Sequence, residues 1–570
     1  MSAQSPAARP AARPVPRTDL RVLVLAGTGQ DAEDPATRFW SQVLERTGCP
    51  HEVHRPTAAR PLLGTDLQDA DGTGRFCAVV RTTGTAADVD PASAAALERY
   101  RRRHGVRLLR AYEFPGPDAG LADVVGGPAD GLTARPTAVG ARVFGYLRDE
   151  VPVAAGCWAY LGRELPGGPF TPLLRTAGGQ PLAGVVRTGD GLEDLLVLVN
   201  TAEDSLHGAL LARGLLAWVT RGTHLGAVRH ALSCHVDDVF LPNWAVPGVR
   251  VGESAPTVRM TPGDVAAVVD WQEANSFTLD LAHNGAGASD DDPLTRALLQ
   301  VADRFRWINH TWDHRDLDAL DATALREQVE RNQRWAERAG VPASATALVT
   351  GAHTGLGNPA LPAVLAGAGV TALACDASRG PGPSSLGPAT FVPRHPTEVT
   401  THVSTWPQLL ADQERVHGAP APTREQFLRA QGEQVLGRVL AGDPRPLFAH
   451  QSNLTGDRVL LDLLQRVLDE HARLLAPGTA LLNPSMDEVA RELGRRERWR
   501  QALAAGAVRA RAGGGELVLT ADVDVEFPVT LPAGAAAGEP YAGARCGWVA
   551  VPGGGEVALR LPAPGAGGAV

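Results

Sequence analysis

Along the chain, apolar runs of strand length alternate with segments whose apolar residues recur at helical spacing, and the scale of that alternation changes twice. From residue 20 to 120 it is tight. Arg21 to Leu25 is a β-branched run ending in a Gly-containing turn, and a helix is expected from Ala36 to Glu45. A strand is then expected over Phe76 to Arg81, an amphipathic helix over Ala92 to His104, and a strand near Val106 to Leu109. Such an order predicts a small doubly wound α/β unit. Between about 125 and 200 short apolar runs broken by Gly and Pro, such as Val151 to Ala155 and Leu195 to Val199, read as strands. Asp204 to Arg221 carries Leu206, Leu210, Leu211, Leu215, Leu216 and Val219 at helical spacing.

From 228 to about 490 the alternation resumes with longer units. Strands are expected at Ala231 to Val236, Ser276 to Leu281, Phe305 to Asn309, Ala345 to Val349, Thr371 to Ala374 and Pro446 to His450. Helices are expected at Pro262 to Glu273, Pro293 to Arg304, Asp321 to Ala339, Pro359 to Ala368 and Arg458 to Leu475. That βα repeat is long enough to close into a barrel. After about 510, Glu516 to Asp524 and Glu556 to Leu561 read as strands joined by Gly/Ala/Pro connectors.

The expected fold class is therefore α/β: a (β/α) barrel-like domain over 226–490, preceded by an α/β plus β-rich module over 20–225. A small C-terminal β domain is expected over 491–570, and residues 1–19, rich in Ala, Pro and Arg, read as a disordered tail.

Composition adds exclusions. A chain of 570 residues is too long for one core, and a hydrophobic fraction of 44% is ordinary for a globular protein. The net charge, 54 − 63 = −9, is spread in both signs, which argues against the concentrated basic surface a nucleic-acid partner requires. No apolar run reaches the ~20 residues of a membrane span. The first twenty residues contain no apolar segment of a secretory signal, so the sequence alone reads as cytoplasmic and leaves localisation open. Cys49, Cys77, Cys157, Cys234, Cys375 and Cys546 are scattered without CxxC spacing and read as reduced, packed residues.

Two weak signals are set aside. Gly27, Gly29 and Ala32 fit a permissive dinucleotide fingerprint, but His51-Glu52-Val53-His54 runs into Arg55-Pro56 where the partner acidic residue belongs, so a structural turn is the better reading. Gly156-Cys157-Trp158 lacks the second Gly of a nucleophile elbow. Trp312 and Trp406 could stack on sugars or simply pack.

Three further segments sit at predicted strand ends: His235-Val236-Asp237-Asp238-Val239, Trp307-Ile308-Asn309-His310-Thr311-Trp312-Asp313-His314, and Phe448-Ala449-His450. Barrel strands bring such ends to one face. Two imidazoles four apart, as on one helical turn, with one carboxylate make a facial ligand set that leaves positions for water and substrate. The second carboxylate can serve as general base. Taken singly, each segment is as readily a helix cap, a surface histidine or a core histidine; their joint occurrence favours chemistry.

The same segments carry a family resemblance. Asn309-His310-Thr311-Trp312-Asp313-His314-Arg315-Asp316-Leu317 resembles the Asn-His-Thr-Trp-Ser-His-Pro-Asp-Leu motif of NodB-type polysaccharide deacetylases. Asp237-Asp238 resembles that fold's first motif and Phe448-Ala449-His450 its closing Leu-x-His, over most of residues 228–485. The Arg-x-Pro-Tyr segment usual in the third motif is replaced by Thr350-Gly351-Ala352-His353-Thr354-Gly355-Leu356-Gly357-Asn358-Pro359. That departure and the flanking regions look like the galactosaminogalactan deacetylase family (carbohydrate esterase family 18), whose N-terminal region is a carbohydrate-binding module.

The resemblance implies Asp237 as base, Asp238, His310 and His314 as ligands of a divalent metal ion such as Zn²⁺, and His450 as general acid. Arg394 stands in for the arginine that orients the base, and His353, Asn358 and Trp312 are expected to contact substrate. The implied reaction is N-deacetylation of an N-acetylhexosamine polysaccharide by water activated at the metal, in an exported or cell-surface setting. The alternatives are peptidoglycan, chitin or an O-acetyl glycan as substrate, or an inactive carbohydrate-binding protein.

Overall fold

The computed structural model describes residues 17–27, 34–83, 89–202, 205–248, 254–379, 384–418 and 420–562. Most of the tail expected over 1–19, and Gly29 and Ala32 of the fingerprint, lie outside the described residues. Contacts divide the chain into one unit of residues 229–498 and another of 1–228 with 499–570.

The 229–498 unit is a closed barrel. Its strands are β1 (Cys234–Val239), β2 (Asp280–His283), β3 (Arg306–Asn309), β4 (Ala343–Val349), β5 (Ala372–Asp376), β6 (Ala389–Pro396) and β7 (Leu447–His450). Every neighbouring pair is parallel, and the β5–β6 pairing closes the ring. Strands buried on both faces need apolar residues on both, which is why these read as continuous runs rather than alternations.

The two faces feed different cores. Cys234 and Val236 of β1 pack outward with Val265 and Val268 of helix Pro262–Asn275 and with Leu460 and Leu464 of helix Val459–Leu474. Ala282, Ile308, Ala347, Val349, Ala374 and Val392 form a second cluster, completed by Met486, Val489 and Ala490 of helix Met486–Ala504. Small side chains dominate this second cluster, and they leave space for polar groups at the strand C-termini.

Two expectations shift. β1 runs to Val239 rather than ending at 236, so both aspartates lie on it. The whole of β6 had no counterpart among the expected strands, because its Pro393, Arg394 and His395 break the apolar pattern.

The other unit contains a nine-stranded mixed sheet, parallel over Val22–Leu25, His51–His54, Ala78–Arg81, Arg107–Arg110 and Glu193–Val197 and antiparallel beyond. The C-terminal strands are not a separate domain from 491 as expected. Thr18–Asp19 pairs with Val508–Gly513, and His224–Leu225 pairs with Val525–Pro532. Leu20, Leu225, Trp499 and Phe527 then share one core. The tail expectation also ends early, since Thr18 and Asp19 are strand residues. The six cysteines are free, and all but Cys77 are fully buried.

Candidate active site

β1 delivers two carboxylates to the barrel mouth. In a regular strand adjacent side chains face opposite ways, so Asp237 and Asp238 could not share a site. Asp238 has φ +63°, a left-handed conformation that ends the alternation, and Leu241 N–H closes the turn on its carbonyl at 2.9 Å. Its Oδ1 then lies 3.4 Å from His310 Nε2 and 3.2 Å from His314 Nε2.

His310 directly follows β3. Its Nδ1 lies 3.1 Å from the Val349 carbonyl, which fixes the tautomer and leaves Nε2 as a bare lone pair. His314 reaches the same point differently from the expected helical turn. Thr311 (φ +66°) and His314 (φ +59°) are left-handed, and residues 310–316 form a loop with no helix. Asn284 Nδ2 holds that loop through the carbonyls of His310 and Thr311 at 2.6 and 3.0 Å. Ala352 N–H donates to His314 Nε2 at 3.1 Å from a turn in which Ala352 and His353 are themselves left-handed.

Asp237 meets Arg394 instead. Arg394 Nη1 and Nη2 donate to Oδ1 and Oδ2 at 2.7 and 2.8 Å, and both side chains are fully buried. β7 lies between β1 and β6, and the guanidinium crosses it over the Phe448 ring at 4.5 Å. β7 also pairs His450 with Asp237 in register. His353 Nδ1 is 3.5 Å from Arg394 Nη2, and its ring packs on Phe448 at 4.9 Å.

Electrostatics follow from this placement. Burial alone would push the Asp237 carboxyl up, but the Arg394 charge, His310 and the two Arg394 hydrogen bonds outweigh it and hold it well below the carboxylate range. Burial opposes ionisation of Asp238 as well, and the adjacent imidazoles of His310, His314 and His450 outweigh it. Burial disfavours the His310 imidazolium, yet the carboxylates of Asp237 and Asp238 raise its pKa. His314 and His450 are lowered by burial, and His353 is pushed down to about 3 by burial and Arg394.

The donor set suits a cation. Ligand atoms of Asp238, His310 and His314 lie within 4.8 Å of one another. Asp238 Oδ1 and His310 Nε2 are buried and make no hydrogen bond, which is costly unless something else binds them. One carboxylate oxygen and two imidazole nitrogens match divalent-ion chemistry of the zinc type.

Asn358, expected at the substrate, is otherwise engaged, and Trp406 is taken up in packing. Asn358 donates to the carbonyls of Leu317 and Leu320 at 2.7 and 2.9 Å and accepts from Ala360 N–H at 3.0 Å. It ties the 317–320 turn to the 351–360 loop and has no donor left for substrate. Trp406 is buried against Phe427, with Nε1 donating to Asp462. Trp312 is half-buried, with the Arg331 guanidinium over its ring at 4.1 Å. Asn243, which donates to Asp238, and Gln451, which donates to Asn243, were singled out by no sequence reading. They form no short-range motif.

A family model described as heparan sulfate N-deacetylase, deacetylase domain, matches residues 236–362, which hold both aspartates, His310 and His314. A crystal structure of Agd3, described as a novel carbohydrate deacetylase, superposes with a TM-score of 0.81 at 17% identity, over 96% of this chain and 99% of that one. This chain has the NodB-type deacetylase fold.

The superposition on Agd3 spans nearly the whole chain, the residues outside the barrel included. A family 4 carbohydrate esterase from Streptomyces lividans also matches, with 15% identity, a TM-score of 0.25 and coverage of 43% of this chain and 91% of that one. The chitin deacetylase from Colletotrichum lindemuthianum matches with 12% identity, a TM-score of 0.27 and coverage of 46% and 89%. No curated protein matches the chain.

Proposed function

We propose that this protein is a metal-dependent N-deacetylase of a polysaccharide containing N-acetylated amino sugars, of galactosaminogalactan type. The observation that carries it is the meeting of Asp238, His310 and His314 beside a second, separately clamped carboxylate and a register-matched histidine. An ion held by that triad would be a Zn²⁺-like Lewis acid that polarises an acetyl carbonyl and eases deprotonation of water.

The protein's own groups divide the proton work. Asp237 is kept anionic by Arg394 and accepts a proton from the attacking water. Arg394 also orients that carboxylate through its planar fork. His450, kept neutral at rest by burial, takes up the proton that Asp237 removed from the water and passes it to the departing amine. A backbone N–H of the 351–357 loop is the proposed donor to the developing oxyanion. His353 and Trp312 remain the proposed substrate contacts.

Acetate release from polymers of N-acetylgalactosamine and N-acetylglucosamine and from an O-acetyl glycan, with and without chelator, tests this reading. Release from the N-acetyl polymers, abolished by chelator and restored by a divalent ion, is expected. Release only from the O-acetyl glycan, or release indifferent to chelator, would overturn it.

The β-rich part of the N-terminal module is proposed to hold glycan. Its support is a surface aromatic group: Trp158 and Phe114 are 46% and 47% exposed, and Tyr112 stacks on Tyr160 at 5.0 Å. Gly126 leaves the space under Trp158 and Tyr160 that a side chain would fill. Flat exposed rings suit sugar faces. Titration of the full chain with galactosamine oligomers, NAD and ATP should give binding to the oligomers alone, weakened by Trp158→Ala.

A further inference from the structure

Asp238 has two carboxylate oxygens, and only one of them faces the imidazoles. The other, Oδ2, accepts from Asn243 Nδ2 at 2.7 Å in a buried contact. Asn243 begins the two-stranded ribbon Asn243–Trp244 with Thr257–Val258, five residues beyond Asp238.

The amide of Asn243 cannot turn round. Its Oδ1 accepts from Gln451 Nε2 at 3.1 Å and from Ser452 N–H at 3.3 Å. A flipped amide would set its NH₂ against both of those donors and point its oxygen at a carboxylate oxygen. Gln451 is itself held at every polar atom. Nε2 also reaches the carbonyls of Leu241 and Val258 at 3.0 and 3.2 Å, and Oε1 accepts from Met260 N–H at 2.7 Å. Gln451 is 1% exposed and follows His450 directly.

We infer that Asn243, clamped by Gln451, is a positioning residue for the metal ligand. It occupies Asp238 Oδ2 and so presents Oδ1 alone, as a single-oxygen ligand aimed between His310 and His314. Asp238 sits at a left-handed position in the register break between Val236 and Val239 of β1. Without the Asn243 donor its terminal torsion is free, and the carboxylate loses the orientation that the two nitrogens require. The relay also joins the segment bearing the ligand to the segment bearing His450 through one amide pair. This inference rests on the metal-dependent reading above.

The test is a double-mutant cycle read by metal binding, independent of turnover. Full-length wild type, Asn243→Leu, Gln451→Met and the double variant are stripped, and Zn²⁺ affinity is measured by competition with a chromophoric chelator. Thermal unfolding of the metal-free proteins reports folding. Asn243→Leu is expected to weaken Zn²⁺ by about 10–100-fold, the usual effect of losing an outer-shell partner. Gln451→Met weakens it less, and the double variant falls within about twofold of Asn243→Leu, because Gln451 acts through Asn243.

Unchanged affinity in a folded Asn243→Leu overturns the inference, as do losses that add in the double variant. Should Asn243→Leu fail to fold, wild-type affinity in Gln451→Met overturns the clamp. Wild type that binds no Zn²⁺, or binds it equally well as His310→Ala, removes the metal-dependent reading and this inference with it.

Discussion

Asp237 and Asp238 are neighbours in the chain with different partners, and single substitutions should separate them. Asp237→Asn keeps the triad of Asp238, His310 and His314, and should retain metal while losing nearly all acetate release, since an amide cannot take a proton from water. Asp238→Ala, His310→Ala and His314→Ala should lose metal affinity instead, with activity partly restored at high metal concentration. Metal analysis and acetate release on the purified variants decide it; equal metal depletion in Asp237→Asn and His310→Ala would reverse the roles. His450→Ala should keep its metal and lose about 10²–10⁴-fold in turnover. Arg394→Met strips the buried Asp237 of its counter-charge, and removing one partner of such a pair costs about 3–5 kcal/mol. Its unfolding midpoint should fall well below that of Arg394→Lys, which keeps the charge but not the two-pronged fork.

At the scale of elements, the mouth of the barrel is shaped by turns whose backbones touch. In the short turn Gly285–Gly287, a Cβ at Gly287 would lie 2.4 Å from the Phe240 carbonyl oxygen, and one at Gly285 would lie 2.7 Å from the Trp312 ring. Phe240 belongs to the turn that follows Asp238, and its backbone has no flexible end to move away. Gly287→Ala should therefore shift the Asp238 turn, costing about 1–3 kcal/mol of stability by overpacking. Metal affinity should fall although no ligand is changed. Chelator competition and thermal unfolding measure the two effects, and a variant with native affinity would show that the turn has slack.

Across the whole molecule, several histidines are buried without a carboxylate partner. Burial pushes His283 and His471 down to about 4, and burial with the nearby Arg213 charge pushes His224 to about 3, from an ordinary 6.5. Their folded pKa values lie below the unfolded ones, so as pH falls the unfolded chain takes up protons first. Stability from these groups is complete above about pH 6.5 and is lost downward toward pH 4, each group adding about 1.4 kcal/mol per pH unit to the slope. Unfolding midpoints measured from pH 7.5 to 4.5 should drop accordingly, and less steeply in His471→Gln. The 1–228 region is predicted to need residues 499–570, because they supply a pairing strand for Thr18–Asp19 and most of the core that covers Leu20 and Leu225. A chain ending at 498 should be far more protease-sensitive over its first 228 residues than the full chain.

The sequence by itself determined the βα repeat, the barrel class and the residues at its strand ends, because apolar period and turn chemistry are local properties and Asp237, Asp238, His310, His314 and His450 stand in three short runs. It also pointed to Arg394, through a resemblance whose usual arginine was missing. Closure of the ring by β6, the left-handed bends at Asp238 and His314, and the grouping of residues 499–570 with 1–228 were decided only by tertiary structure. Each depends on groups far apart in the chain: Arg394 and Asp237 are 157 residues apart, and Asn243 and Gln451 are 208 apart. No local pattern encodes such pairings. Asn358 illustrates the converse, a polar loop residue whose donors are taken by backbone carbonyls that only the fold brings near.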